Sequence, residues 1–153
     1  MSNAAAGAEL TLTGGCLCGA VRYQIVGIPH DPQFCHCRLC QRQFGAAFAL
    51  WASFPNDGIF WTKGRPKVYR ATPIAERGFC GACGSPLFFR YFVTPGSVGI
   101  ALGTLDRPEE VPPRIHWGIE SRLPWLAFAD GLPEKRTDED PETKAAVSAH
   151  KGD

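Results

Sequence analysis

The sequence has no long apolar run, no excess of charge of one sign and no even set of cysteines, and each absence removes a class of function. No stretch approaches the ~18 apolar residues that a membrane-spanning helix needs, so no membrane partner is expected. Sixteen Lys and Arg stand against fifteen Asp and Glu, for a net charge of +1. There is no basic stripe and no zinc-finger histidine spacing, so no nucleic-acid partner is expected either. The opening MSNAAAGAEL lacks the basic region and apolar centre of a signal peptide. A soluble, cytoplasmic protein is therefore expected, in a compartment where thiols stay reduced and clustered cysteines serve metals or catalysis. Seven cysteines cannot all pair as disulfides. No internal repeat is found beyond the recurrence of cysteine pairs, and the oligomeric state is not legible.

What is there points to a small β domain. The 153 residues suit one domain with a single core. Thirteen prolines and seventeen glycines favour short strands and many turns over long helices. Residues 1–13 read as loose, with 1–9 a disordered leader in which Ser2-Asn3-Ala4 resembles a cloning remnant. The domain proper is expected over 10–133 and a flexible, charged tail over 134–153. Strands are expected at Ala20–Val26, at the very apolar Ala46–Phe54, and at Ile59–Thr62, Lys67–Ala71, Ala75–Phe79, Pro86–Phe92 and Ser97–Leu102. Pro29 and Pro32 are read as breaking the first of these. A helical turn or two is expected from Arg38 to Phe44, stopped by Gly45, and another near Ser121–Trp125. The expected fold is all-β, a mainly antiparallel sheet complex.

The chemistry lies in the cysteines, which form three groups. Cys35-His36-Cys37-Arg38-Leu39-Cys40 crowds three thiols too closely for an unstrained disulfide. Cys80-Gly81-Ala82-Cys83-Gly84 is a knuckle: two intervening small residues let both sulfurs face one ion while backbone amides approach them. Cys16-Leu17-Cys18 lies in a second glycine-framed turn. Pairing Cys16 and Cys18 with Cys80 and Cys83 makes a closed four-thiolate site. It leaves three thiolates with an open position, the pattern of a catalytic zinc. Spacing alone also permits Cys35 and Cys37 to complete a four-thiolate site with either pair.

Gly15-Cys16-Leu17-Cys18-Gly19-Ala20-Val21-Arg22-Tyr23, Cys35-His36-Cys37-Arg38-Leu39-Cys40-Gln41-Arg42 and Phe79-Cys80-Gly81-Ala82-Cys83-Gly84-Ser85-Pro86-Leu87 resemble the glutathione-dependent formaldehyde-activating enzyme family, which includes relatives of centromere protein V. The likeness continues through Gly103-Thr104-Leu105-Asp106, Ile115-His116-Trp117, Pro124-Trp125 and Asp130-Gly131-Leu132-Pro133. It implies a zinc-stapled fold similar to methionine-R-sulfoxide reductases and small Rab-binding zinc proteins. It also implies two zinc ions per chain. Cys16, Cys18, Cys80 and Cys83 match structural ligands, and Cys35, Cys37 and Cys40 match the ligands of a labile, catalytic ion. The implied activity is that of a carbon–sulfur lyase, condensing glutathione with formaldehyde, although the family does not fix the substrate.

Physical chemistry agrees with a thiol substrate. Three thiolates on a dication leave a net charge near −1, which suits a fourth sulfur better than an activated water. Glutathione carries two carboxylates, so arginines are sought beside the cluster. Arg38 and Arg42 share a helical face there, with solvated surface arginines as the competing reading. Trp51, Trp61, Trp117 and Trp125 serve either as pocket walls or as core. His36, on an extended segment, is expected to point away from the sulfurs, as a hydrogen-bonded structural residue or a donor behind a ligand. His116 is expected to be structural. His30 and His150 are read as solvated, and Asp106 and Glu120 as surface carboxylates or acid–base groups. The competing function is a non-catalytic zinc module of the same fold that presents a binding surface. A methionine-sulfoxide reductase is disfavoured, because no free cysteine follows Cys83.

Overall fold

A computed structural model of the chain describes residues 8–149. Ser2-Asn3-Ala4, the rest of the leader through residue 7, and His150 lie outside the described residues. Strands β1 (Leu10–Gly15), β2 (Arg22–Gly27) and β5 (Ile59–Lys63) form a three-stranded sheet in the order β1-β2-β5, all antiparallel. The larger sheet is built from β3 (His30–Cys35), β4 (Ala49–Pro55), β6 (Lys67–Thr72), β7 (Ala75–Phe79), β8 (Pro86–Tyr91), β9 (Ser97–Ala101), β10 (Ile115–Trp117) and β11 (Glu134–Lys135). Its order is β11-β10-β3-β4-β9-β8-β7-β6. The mainly β reading holds. The sheet is mixed, however: β10 runs parallel to both β3 and β11. Helix α1 (Arg38–Phe44) follows β3, and α2 (Pro141–Ala149) closes the described chain. No helix among the described residues is long and apolar enough to cross a membrane.

β4 shows why its sequence is so apolar. Leu50, Ala52 and Phe54 point to one face and join the main core. Ala49 and Trp51 point to the other and join a second cluster around Cys35 and Cys40. A strand covered on both faces needs apolar residues at both parities. The main core fills the space between the sheets, with Leu12, Tyr23 and Ile25 from the small one meeting Leu87, Val98 and Ile100 from the large one. Each such side chain contributes about 1.5–3 kcal/mol by leaving water.

Three differences from the sequence reading have physical causes. β1 begins within the stretch read as loose, because Leu12 alternates with threonines and inserts into the core. β3 runs through Pro32. The register with β4 shifts between His30 and Gln33, and Asp31 sits at φ 47°, so the missing proline N–H falls in a bulge and costs no ladder bond. The segment read as a flexible tail carries β11, a 3₁₀ turn at Thr137–Glu139 and α2. Its composition is charged, but its backbone pairs with β10. Both Glu120 carboxylate oxygens accept from the Thr137 N–H, at 3.1 and 3.2 Å.

Candidate metal centre and its cavity

Two groups of sulfurs converge, each with its ligand atoms within 4.8 Å of one another. The first joins the turn after β1 to the turn between β7 and β8. The Val21 N–H points at Cys16 Sγ (3.2 Å) and the Ala82 N–H at Cys80 Sγ (3.4 Å), as thiolates require. Gly84, at φ +79°, ends the knuckle in the left-handed conformation expected of it. Ser85 Oγ accepts from the Leu17 N–H at 3.0 Å, which leaves its own proton for Cys83 Sγ at 3.1 Å. That hydroxyl is the main cause of the Cys83 thiol being pulled down to about 5. Cys16 and Cys18 sulfurs lie 3.7 Å apart and Cys18 and Cys80 sulfurs 3.9 Å apart. A tetrahedral zinc with bonds of about 2.3 Å has sulfur–sulfur edges of about 3.8 Å. The donor set and its spacing therefore fit a closed four-thiolate metal site.

The second group sits at the junction of β3 and α1. Cys35 ends the strand, and Cys37 holds an extended backbone (φ −62°, ψ 150°) just ahead of the helix. Cys40 lies one turn on, where a three-residue step returns a side chain to the same face. Cys35 and Cys37 sulfurs are 3.4 Å apart. Gly118 packs on this loop so closely that a Cβ there would stand 3.0 Å from the Cys37 nitrogen. Cys40 accepts from the Trp51 indole N–H at 3.4 Å and lies 4.0 Å from Arg77 Nη1. Hydrogen bonds from Cys35 and Cys37 hold the Cys40 thiol well below its ordinary range, with help from Arg77 and Trp51 and against burial. Cys35 is pushed well above it by Cys37 and Cys40 and by burial. The Trp51 N–H and the Arg77 guanidinium stand beside Cys40, and the donor set of the three sulfurs fits a thiophilic cation.

These sulfurs line a cavity of about 380 Å³. Trp51, Phe89 and Trp117 give it apolar walls, and Arg77, Lys135, Asp31 and Asp140 place charges of both signs around it. Tyr91 also faces it, and burial pushes its hydroxyl well above the ordinary range, so it stays a proton donor.

A family model described as the glutathione-dependent formaldehyde-activating enzyme matches residues 11–121. The chain belongs to the glutathione-dependent formaldehyde-activating enzyme family. A protein of Halomonas elongata, provisionally named as such an enzyme, is 30% identical over 127 residues, covering 76% of this chain and 80% of the relative. A Schizosaccharomyces pombe protein named as an uncharacterised lyase is 30% identical over 86 residues, covering 51% of this chain and 56% of that protein. The crystal structure of a Rhodobacter sphaeroides protein covers 81% of this chain and 99% of its own, with a TM-score of 0.53 at 20% identity, and so shares the fold.

For this member of the formaldehyde-activating family, the structure brings Cys16, Cys18, Cys80 and Cys83 into one group and Cys35, Cys37 and Cys40 into another, a partition that spacing alone had left open. It places Arg38 and Arg42 elsewhere. They line a neighbouring cleft of about 330 Å³ that shares Cys37 and Leu39 with the cavity and adds Glu120, Ser121 and Thr137. Arg38 Nη1 donates to the buried Gln41 side chain. Gln41 Nε2 in turn donates to the carbonyls of His36 (2.7 Å) and Ser121 (2.9 Å). Trp51 and Trp117 line the cavity, Trp61 packs edge-on to Tyr23 in the core, and Trp125 is 73% exposed. Asp106 lies outside the cavity, held by Arg22 and Thr13, and His30 is exposed.

The histidines form a buried chain. His36 Nε2 and His116 Nδ1 are 2.9 Å apart, and His116 Nε2 is 2.9 Å from Asp130 Oδ2. Both rings are essentially fully buried, within a box of Phe34, Phe48 and Phe128. Burial, and after it the charge of Arg122, push His36 down to about 4. Sequence reasoning missed Arg77 and the Asp130 partnership. For Arg77 a signal existed: a charged residue shares the inward parity of Ala75 on a strand and is 9% exposed. For Asp130 the family likeness marked the residue but not its partner, since its link to the cysteine loop runs through a ring on another strand.

Proposed function

We propose that the protein is a zinc-dependent carbon–sulfur lyase that joins a small thiol, glutathione in the first instance, to a small aldehyde, formaldehyde. Two zinc ions per chain are proposed, one held structurally by Cys16, Cys18, Cys80 and Cys83, and one held labilely by Cys35, Cys37 and Cys40. The observation that carries this reading is the three-sulfur group opening onto a cavity while the other four cysteines close a site of their own.

Zinc, when bound, supplies a thiophilic Lewis acid that favours the thiolate form of a substrate thiol. The chain's own residues do the rest. Trp51, Phe89 and Trp117 exclude water and so strengthen charge interactions within the cavity. Arg77 is pinned over the Phe89 ring at 5.1 Å and by the Gln43 side chain, which fixes a positive charge beside Cys40. Lys135 offers a second cation for a substrate carboxylate, and Asp31 and Asp140 offer partners for its ammonium group. Addition forms one C–S bond, converts the aldehyde carbonyl to a hydroxyl and moves the thiol proton to that oxygen. The Tyr91 hydroxyl, which stays protonated, is positioned on the cavity wall as a donor to the oxygen.

Isothermal titration of the zinc-loaded protein with glutathione tests the reading, with exchange spectroscopy of glutathione–formaldehyde mixtures as the activity readout. Binding at or below the millimolar range and faster exchange are expected. No binding at millimolar glutathione, with two inert metals per chain, would establish the non-catalytic module instead.

A further inference from the structure

His36 contributes no atom to the sulfur group, yet it is the residue between two of its members. It is pinned at three points. Its backbone N–H donates to the Trp117 carbonyl at 2.7 Å, its carbonyl accepts from Gln41 at 2.7 Å, and its ring meets His116 at 2.9 Å. The His116 backbone is itself held between β3 and β11, and its ring stacks on Phe34 at 4.7 Å with an interplanar angle of 11°. Asp130 completes the chain: one oxygen meets His116 Nε2, and the other accepts from the Leu132 N–H at 3.1 Å.

The proton arrangement follows from donor and acceptor inventory. A carboxylate only accepts, so His116 carries its proton on Nε2. With one proton on each ring, His116 Nδ1 is a bare acceptor, and His36 must donate to it from Nε2. The His36 Nδ1 atom is then a buried lone pair, and it is indeed one of the buried side-chain atoms without a hydrogen-bond partner. Reversing either ring sets two protons or two lone pairs against each other across 2.9 Å.

We propose that Asp130 and His116 are positioning residues for the three-cysteine site. By dictating the His36 tautomer they hold the peptide between Cys35 and Cys37 in the shape that aims both sulfurs at one point. The inference rests on the proposed metal-binding role of that site. Supporting groups hydrogen-bonded behind a metal ligand typically change metal affinity about 10- to 100-fold. The geometry here is one bond further removed, since the ring supports the ligands' backbone rather than a ligand atom.

The test compares zinc-loaded wild type with Asp130→Asn and Asp130→Glu. The affinities of both metals are read by competition with a chelator, and the His36 tautomer by imidazole ¹⁵N resonances. The expected result is a loss of affinity approaching 10-fold or more at one metal in Asp130→Asn, an unchanged second metal, and a shift of the His36 proton toward Nδ1. Asp130→Glu, which keeps the carboxylate, is expected to restore much of both. Unchanged affinity and tautomer in Asp130→Asn overturn the proposal while leaving the metal site standing. Loss of both metals together overturns it in favour of a general structural role. A wild-type His36 protonated on Nδ1 overturns it without any variant. Wild type that takes up only one metal overturns the reading of the site itself, and the proposal with it.

Discussion

The two cysteine groups solve opposite problems with the same atom. The four-sulfur group draws its members from turns 62 residues apart, between Cys18 and Cys80, and ties the end of β1 to the β7–β8 turn. The three-sulfur group draws all its members from six consecutive residues and opens onto a cavity. Closing a long loop makes the first a part of the fold, because a metal there offsets chain entropy that nothing local offsets. The second closes no long loop, so its shape belongs to β3, β10 and α1, and on the proposed reading a metal there would exchange without unfolding the chain. A site that supports the fold and a site that exchanges ligands cannot easily be the same site, and the proposed function assigns them to the two separate groups.

The largest test of that contrast is Cys83→Ser. A structural thiolate zinc site supplies on the order of 10–16 kcal/mol, which is comparable with the whole stability of a domain. The variant is expected to lose its cooperative thermal transition, and a well-folded Cys83→Ser protein would show that the first group is not a staple. Cys37→Ser comes next. It is expected to keep its circular dichroism and melting transition while its metal content falls from two ions to one and glutathione binding disappears. Global unfolding of this variant would count against the partition. Arg77→Met keeps the packing over Phe89 and removes the charge beside Cys40. About a tenfold weaker glutathione affinity is expected, roughly 1.4 kcal/mol, measured by calorimetry, and unchanged affinity would remove Arg77 from the site's chemistry.

The smallest effect lies outside both groups. Arg22 pairs with Asp106 and, first among several causes, holds its carboxyl below the usual range. Both side chains are more than a third exposed or close to it, so Asp106→Asn should cost about 1 kcal/mol or less. A depressed carboxyl stabilises the fold above its ordinary pKa, and that contribution is lost as the pH falls through the folded value. The variant and wild type should therefore differ in urea unfolding at pH 7 and converge only as the pH falls through the folded value, which lies below the ordinary 3.8. An equal difference at both would assign the loss to something other than charge.

The three local cysteine clusters were legible because metal chemistry imposes short spacings that survive without a fold, whereas which distant clusters combine was left open by spacing. β4 was legible because burial on both faces leaves an unbroken apolar run. β3 was obscured by Pro32, whose tolerance depends on a bulge set by its partner strand. β10 has three residues and exists through parallel pairing with a strand about eighty residues earlier, so no local pattern announces it. Arg38 and Arg42 were read from adjacency in sequence. The helix aims them into the neighbouring cleft, while Arg77 reaches the cavity from β7. The charged composition after Glu134 says nothing of where its backbone bonds go, and Lys135 and Asp140 came to the cavity by that route.

The distance between the halves of the four-sulfur group also sets an order of events during synthesis. Translation at about 5–20 residues per second delivers Cys80 roughly 3–12 s after Cys18. By the end of that interval the nascent chain carries five sulfurs, at Cys16, Cys18, Cys35, Cys37 and Cys40, and none of β10 to hold the last three apart from the first two. A metal ion captured then can be shared only among those five. The four-sulfur group is complete only once the knuckle is made, and the walls that Ile115 and Trp117 give the trio's cavity come later still.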